Sequence, residues 1–305
     1  LLEPDGEARR EGPIDLGQRW DAEFPARGGR AVYRVALPVR SGSEPMALLF
    51  SRVGNQVHVQ VNGSTVQRWG VLGEPRFDAA KSALMVVLPP ALLRADRANE
   101  LRVEVTIQPQ RLGGLSVLRY GPHPVIEALY DEQRRWRDLP LLVFAACLAG
   151  MGVLTAVLWR RQHDALYGWF SLAAFLGVVR IVDRLWPDVP LPWPLWGIVV
   201  AVCFGCHIAL ICRVTLMVLG PVPLWMDRAI NAVIVLASLL TMLSFGLGLP
   251  LLFTFGIGLL APLGLTTLAL ILREAHRHRR QTAWVLAGAI ALALAAGVYD
   301  LVAIR

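Results

Sequence analysis

Two hydrophobic periods divide the chain. In residues 1–138 the period is two, the signature of strands with one buried face. Within Ala31–Val39, Tyr33, Val35 and Leu37 fall on alternate positions. Gln56–Val61 sets Val57, Val59 and Val61 on one face and Gln56, His58 and Gln60 on the other. Asn62-Gly63 follows, and both residues accept the positive φ of a two-residue hairpin turn, so Thr65–Trp69 is expected to return as the partner strand. Further strands are predicted over Ala83–Leu88, Leu101–Ile107 and Ser116–Tyr120, with Leu101, Val103, Val105 and Ile107 inward. Pro89-Pro90 and Arg97-Ala98-Asn99 fill the turn between two of them. Many short strands separated by turns predict a β-sandwich or jelly roll over residues 1–124. Val125–Arg137 reads as a helical stalk, giving a juxtamembrane segment at 125–138.

From residue 139 the alternation gives way to six apolar runs: 139–159, 165–185, 195–219, 229–249, 251–272 and 282–303. Roughly 20 apolar residues in a helix cross about 30 Å of hydrocarbon. A buried bundle in a soluble protein would show polar stripes at helical period; these runs are apolar all round. The predicted fold class is an N-terminal β-sandwich followed by a polytopic transmembrane helix bundle over 139–305.

Arginine in the short loops sets the expected orientation. Arg160 and Arg161, then Arg228, then Arg273, Arg277, Arg279 and Arg280 fall in loops on one side. The opposite loops, Trp186–Pro194 and the break at Leu249–Pro250, hold no Arg or Lys. The N-terminal domain is therefore expected outside the cytoplasm, in the periplasm of a bacterial inner-membrane protein. Arg134, Arg135 and Arg137 run against this pattern, and an exported, folded domain upstream of them outweighs it. Trp186, Trp193 and Trp196 bracket the outer loop as expected headgroup-level anchors. An export signal is expected ahead of Leu1. Six spans would leave Arg305 on the side of the β domain, so a seventh is expected beyond it.

Composition agrees with this division. The chain is 55% hydrophobic and carries a formal charge of +7. Residues 1–138 hold 19 basic and 17 acidic side chains, and the remainder 11 and 6. That distribution follows membrane orientation, not a phosphate-binding face, and excludes nucleic acid as a partner. Cys147, Cys203, Cys206 and Cys212 all lie in apolar runs, so the exported part has no disulfide. Lys81 stands alone against 29 arginines and reads as base-composition bias. No G-x-S-x-G, H-E-x-x-H or Walker loop is present, and no catalytic residue, metal or cofactor is expected.

The run VHVQVNGSTVQRWG, with ALMVVLPPALLRADRANELRVEVTI after it, resembles the sugar-binding jelly roll that accompanies family 2 glycosidases. The segments RRQHDALYGWFSLAAFLGVVRIVDRLW and GVYDLVAIR resemble the bacterial seven-transmembrane receptors with diverse intracellular signalling modules. The resemblance implies an extracytoplasmic ligand, a small molecule or carbohydrate, bound by the jelly roll or the outer face of the bundle. It implies a seventh span and a cytoplasmic output module beyond Arg305: a histidine kinase first, a diguanylate cyclase second. It further implies a homodimer and a response regulator as partners. The rival classes are a transporter subunit and an envelope assembly protein that binds glycan.

Several residues stand out inside the apolar half. Cys203-Phe204-Gly205-Cys206-His207 matches the c-type haem pattern, but lies within a span and reads as small residues at a helix contact, with His207 bonded to a neighbouring helix. Asn62-Gly63-Ser64 matches a glycosylation sequon and reads as a turn. Arg213 is expected to snorkel to the cytoplasmic interface. REAHRHRRQ reads as an orientation-setting loop, with anionic lipid as the alternative contact. The candidate functional cluster is Arg180, Asp183 and Arg184 at the outer end of the second span, with Asp300 near that of the sixth. Ionisable groups at such depths need partners. Arg180 and Asp300 are the expected pair.

Overall fold

The computed structural model describes Gly12, Trp20, Phe24 and residues 27–39, 44–111, 113–278 and 281–303, with His278 and 296–303 as backbone only. The chain forms two compact units: residues 1–143 with 182–197, and residues 144–181 with 198–305.

The first unit is built on two antiparallel sheets. The strands are β1 (Gly29–Leu37), β2 (Met46–Phe50), β3 (Gln56–Val61), β4 (Ser64–Trp69), β5 (Leu84–Leu88), β6 (Asn99–Ile107) and β7 (Leu118–Pro122). They pair in the orders β1-β6-β3-β4 and β5-β2-β7. The alternating valines of β3 and the apolar positions of β6 are at most 1% exposed. They share one core with Leu48, Phe50, Val86 and Leu88 of the other sheet. The hairpin forms at Asn62-Gly63, with φ of 51° and 87°, and pairs Val61 with Ser64. The Asn62 amide also donates to Leu92 O (2.7 Å) and Asn99 Oδ1 (2.8 Å), tying the turn to the approach of β6.

Two strand features depart from the alternation. β2 has no alternation to read because both its faces are covered. Leu48 and Phe50 enter the inter-sheet core, while Ala47 and Leu49 pack with Ala83 and Ile126 on the other side. Gln56 was expected on the polar face of β3, yet it is fully buried. The loop after β4 covers it, and its amide donates to Glu74 O (2.7 Å).

Seven helices follow: α1 (His123–Gln162), α2 (Ala165–Leu185), α3 (Leu195–Leu219), α4 (Leu224–Leu247), α5 (Pro250–Gly258), α6 (Leu260–His278) and α7 (Gln281–Ala303). The stalk and first apolar run are one 40-residue helix with Pro140 inside it. The run expected as one helix over 251–272 is interrupted at Leu259. Pro262 offers no N–H to the carbonyl of Gly258, four residues earlier, and its ring crowds that carbonyl. Among the described residues five helical segments are long and apolar enough to cross a membrane: α1, α2, α3, α4 and the α5–α6 pair. Their most apolar windows are only 17–33% buried within the protein. α7 is apolar over Gln281–Ala295. The second unit's core joins Ala209 and Cys212 of α3, Met226 and Ile230 of α4, Ile271 and Ala275 of α6, and Ala283 and Ala287 of α7.

Two expectations follow for the β region. An added Cβ at Gly63 meets nothing within 4 Å, so the cost of Gly63→Val is set by the left-handed backbone that a β-branched residue resists. It should lower unfolding free energy by about 1–2 kcal/mol in denaturant titrations, and Gly63→Asn by much less. His58 packs between Thr65 Oγ1 (2.9 Å) and Glu104 (3.8 Å). Burial, and then Arg68, hold its pKa below the usual 6.5. The unfolded chain takes up this proton near pH 6.5, while the folded chain resists it. The stability present above pH 6.5 should therefore decline as pH falls toward the folded pKa, and His58→Gln should flatten that dependence in thermal scans.

Candidate functional site

The connection between α2 and α3 belongs to the first unit, along with the last turn of α2 and the start of α3. It is held by main-chain bonds to the loop between β4 and β5. Asp78 N–H donates to Pro187 O (2.9 Å), Val189 N–H to Arg76 O (2.8 Å) and Trp193 N–H to Pro75 O (3.1 Å). Phe77 and Asp188 form an isolated antiparallel bridge. The connection thus lies along the loop like a short additional strand.

Charge closes both ends of this contact. Lys81 Nζ donates to Asp183 Oδ1 at 2.6 Å and to Trp186 O at 3.2 Å. The Trp196 indole N–H donates to the same Asp183 oxygen at 2.6 Å. The Lys81 and Asp183 side chains are 10% and 16% exposed, so water screens the pair little. At the other end the Arg111 guanidinium lies 4.1 Å over the Trp193 ring, and the Trp193 N–H donates to Pro109 O (2.8 Å). Arg111 also faces Asp78 Oδ2 at 3.3 Å and donates to Gln108 Oε1. Burial lowers the Arg111 pKa, and the charge of Asp78 opposes that shift.

The four candidate residues part company. Asp183 takes Lys81 and Trp196 as partners. Arg180 belongs to the second unit, with its guanidinium 5.2 Å from the Phe204 ring. Arg184 is exposed. The Asp300 side chain lies outside the described residues, and the expected Arg180–Asp300 pair with it. Lys81 has a structural role that its reading as compositional bias missed. Trp193 and Trp196, expected as anchors, donate their indole N–H groups to Pro109 O and Asp183 Oδ1.

In the second unit, His207 Nδ1 lies 2.7 Å from Ala173 O. Gly177 makes room for the ring: an added Cβ there would sit 2.8 Å from it. Arg213, expected to reach the cytoplasmic interface, is 5% exposed and paired with the start of α4. Its Nη2 donates to Asp227 Oδ1 (2.6 Å) and Asn231 Oδ1 (2.8 Å), and its guanidinium covers the Trp169 ring at 4.6 Å. Asp227 and Asn231, one helical turn apart in an apolar helix, were the sequence signal for this partner. A cleft of about 670 Å³ opens there.

The Lys81–Asp183 pair is testable by a double-mutant cycle on chemical unfolding in detergent. Lys81→Met and Asp183→Asn should each cost about 3 kcal/mol, since each strands a buried partner. The double variant should lose at least about 1 kcal/mol less than the sum.

No protein-family model matches the chain, and no curated protein matches it.

Proposed function

We propose that the chain is the sensing and membrane-spanning portion of a bacterial signal-transduction receptor, the input half of a sensor histidine kinase. The β region is a periplasmic jelly-roll sandwich that takes a small molecule or carbohydrate. The helices form a multi-pass bundle in the inner membrane. A cytoplasmic module reads their packing and passes a phosphoryl group to a response regulator, with the receptor acting as a homodimer.

The observation that carries this reading is the α2–α3 connection built into the β region through main-chain bonds and the Lys81–Asp183 pair. A ligand shifts a conformational equilibrium only by its difference in affinity for the two states. A β region that binds ligand must therefore share a contact with whatever changes state. Here the ends of α2 and α3 are part of the same compact unit as the sheets. The low internal burial of the apolar helices supports the membrane setting, since their outward faces need a hydrocarbon partner.

The output is tested on the whole gene product in membrane vesicles supplied with labelled ATP and GTP. Acid-labile protein phosphorylation supports the kinase, and Lys81→Met should change its rate. A cyclic dinucleotide instead would assign the output to a diguanylate cyclase, and neither product would overturn the receptor. Orientation is tested with single cysteines in a background lacking the native four. Cysteines at Gln162 and His278 should be shielded from an impermeant thiol reagent in intact cells, and one at Asp188 should label.

A further inference from the structure

The cleft between α2, α3 and α4 takes no part in the joint around Asp183. Its apolar walls are Trp169, Met217, Pro221 and Val222, and its polar groups are Arg213, Asp227 and Asn231. Three features of these groups define an occupant. Both described hydrogen bonds of Arg213 leave from Nη2, so the buried Nε has no acceptor. A guanidinium carries five donors in a fork that suits phosphate oxygens, so this one has capacity to spare. Asp227 spends Oδ1 on Arg213, while among the described residues Oδ2 is met only by the Asn231 amide at 3.5 Å. The Asp227 side chain is 44% exposed, against 6% for Arg213.

The cleft is therefore lined by a guanidinium whose solvent-shielded Nε is unfilled and, nearer solvent, by a carboxylate oxygen with accepting capacity left, and their opposite charges cancel. A simple anion gains Arg213 but meets Asp227. A zwitterion with a phosphate and a neighbouring ammonium complements both. The apolar walls suit the glycerol and upper acyl carbons of an amphiphile. The cleft also lies where α3 ends and α4 begins, at the junction of two helices apolar enough to cross a bilayer.

We infer that this cleft binds the headgroup of a membrane phospholipid bearing a primary ammonium, with its phosphate on Arg213 and its ammonium on Asp227. The inference rests on the membrane-spanning part of the proposed function and is independent of signalling. A quaternary headgroup fits less well, because it has no N–H to give the carboxylate. An anionic glycerol headgroup has no cation at all.

The test is native mass spectrometry of the whole chain in dodecyl maltoside, exposed to equal amounts of dioleoyl phosphatidylethanolamine, phosphatidylglycerol and phosphatidylcholine. Phosphatidylethanolamine should be retained about tenfold over each of the others, the scale of one charge-assisted hydrogen bond. Asp227→Asn should erase that preference. Met217→Trp, which fills the cleft and leaves the charges in place, should abolish retention and decides the matter if Asp227→Asn does not fold. Equal retention of the three lipids, or a preference that survives Met217→Trp, would overturn the inference. So would displacement of the lipid by equimolar soluble phosphoethanolamine, which would make the free headgroup the ligand. Recovery of the chain from the soluble fraction without detergent would instead sink the membrane-spanning reading, and this one with it. A chain that needs detergent yet shows no preference overturns the cleft's ligand alone.

Discussion

The arrangement of the first unit hangs on one buried carboxylate. Asp78 is 7% exposed, and a carboxylate at that depth is tolerated only when its oxygens are satisfied. Oδ1 accepts from the Asn55 amide at 2.7 Å and from Ala80 N–H at 3.3 Å, and Oδ2 faces Arg111. Asn55 is itself fully buried and accepts the Gln108 N–H on its side-chain oxygen (2.8 Å). These bonds pin the loop after β4 against the start of β3 and the end of β6. Only a loop fixed in that way presents the backbone edge at Pro75, Arg76 and Asp78 to which the α2–α3 connection bonds. Removing one partner would leave the others charged or polar in an apolar surround, which is costlier than the bond itself.

Strands with one wet face were legible in the sequence, because burial on one side prints a period of two. The inward valines of β3 and the Leu101, Val103, Val105 and Ile107 series of β6 were read in this way, whereas β4 was legible from the Asn62-Gly63 turn. Met46–Phe50 was not, because the sheet core and α1 cover it from opposite sides and erase the alternation. Gln56 was assigned to the wrong environment for a related reason: a loop fourteen or more residues downstream roofs the polar face. Local pattern carries no information about a cover supplied from elsewhere in the chain.

The candidate site shows the same limit. Asp183 stood out because a carboxylate beside an apolar run needs a partner. That partner, Lys81, lies 102 residues away in a segment whose composition gave no hint of it. Arg213 stood out for the same reason, and its partners were closer to hand, since Asp227 and Asn231 share a face of the next helix. One-dimensional reading thus finds the charge that must be compensated more readily than the group that compensates it. Ala173 and Gly177 of α2 illustrate a further class, residues whose small size matters only once His207 is seen against them.

The 40-residue α1 has a mechanical consequence. At 1.5 Å per residue it is a rod roughly 60 Å long. Near its start Ile126 is embedded beside Ala47 and Leu49, with Leu129 and Tyr130 packed alongside, so the sheet grips the rod at one end. Pro140 then deletes one rung of the hydrogen-bond ladder, leaving the Trp136 carbonyl without its usual donor. Axial load and torque pass along such a rod with little loss, whereas bending concentrates where the rung is missing. α1 therefore acts as two stiff arms with an elbow at Pro140.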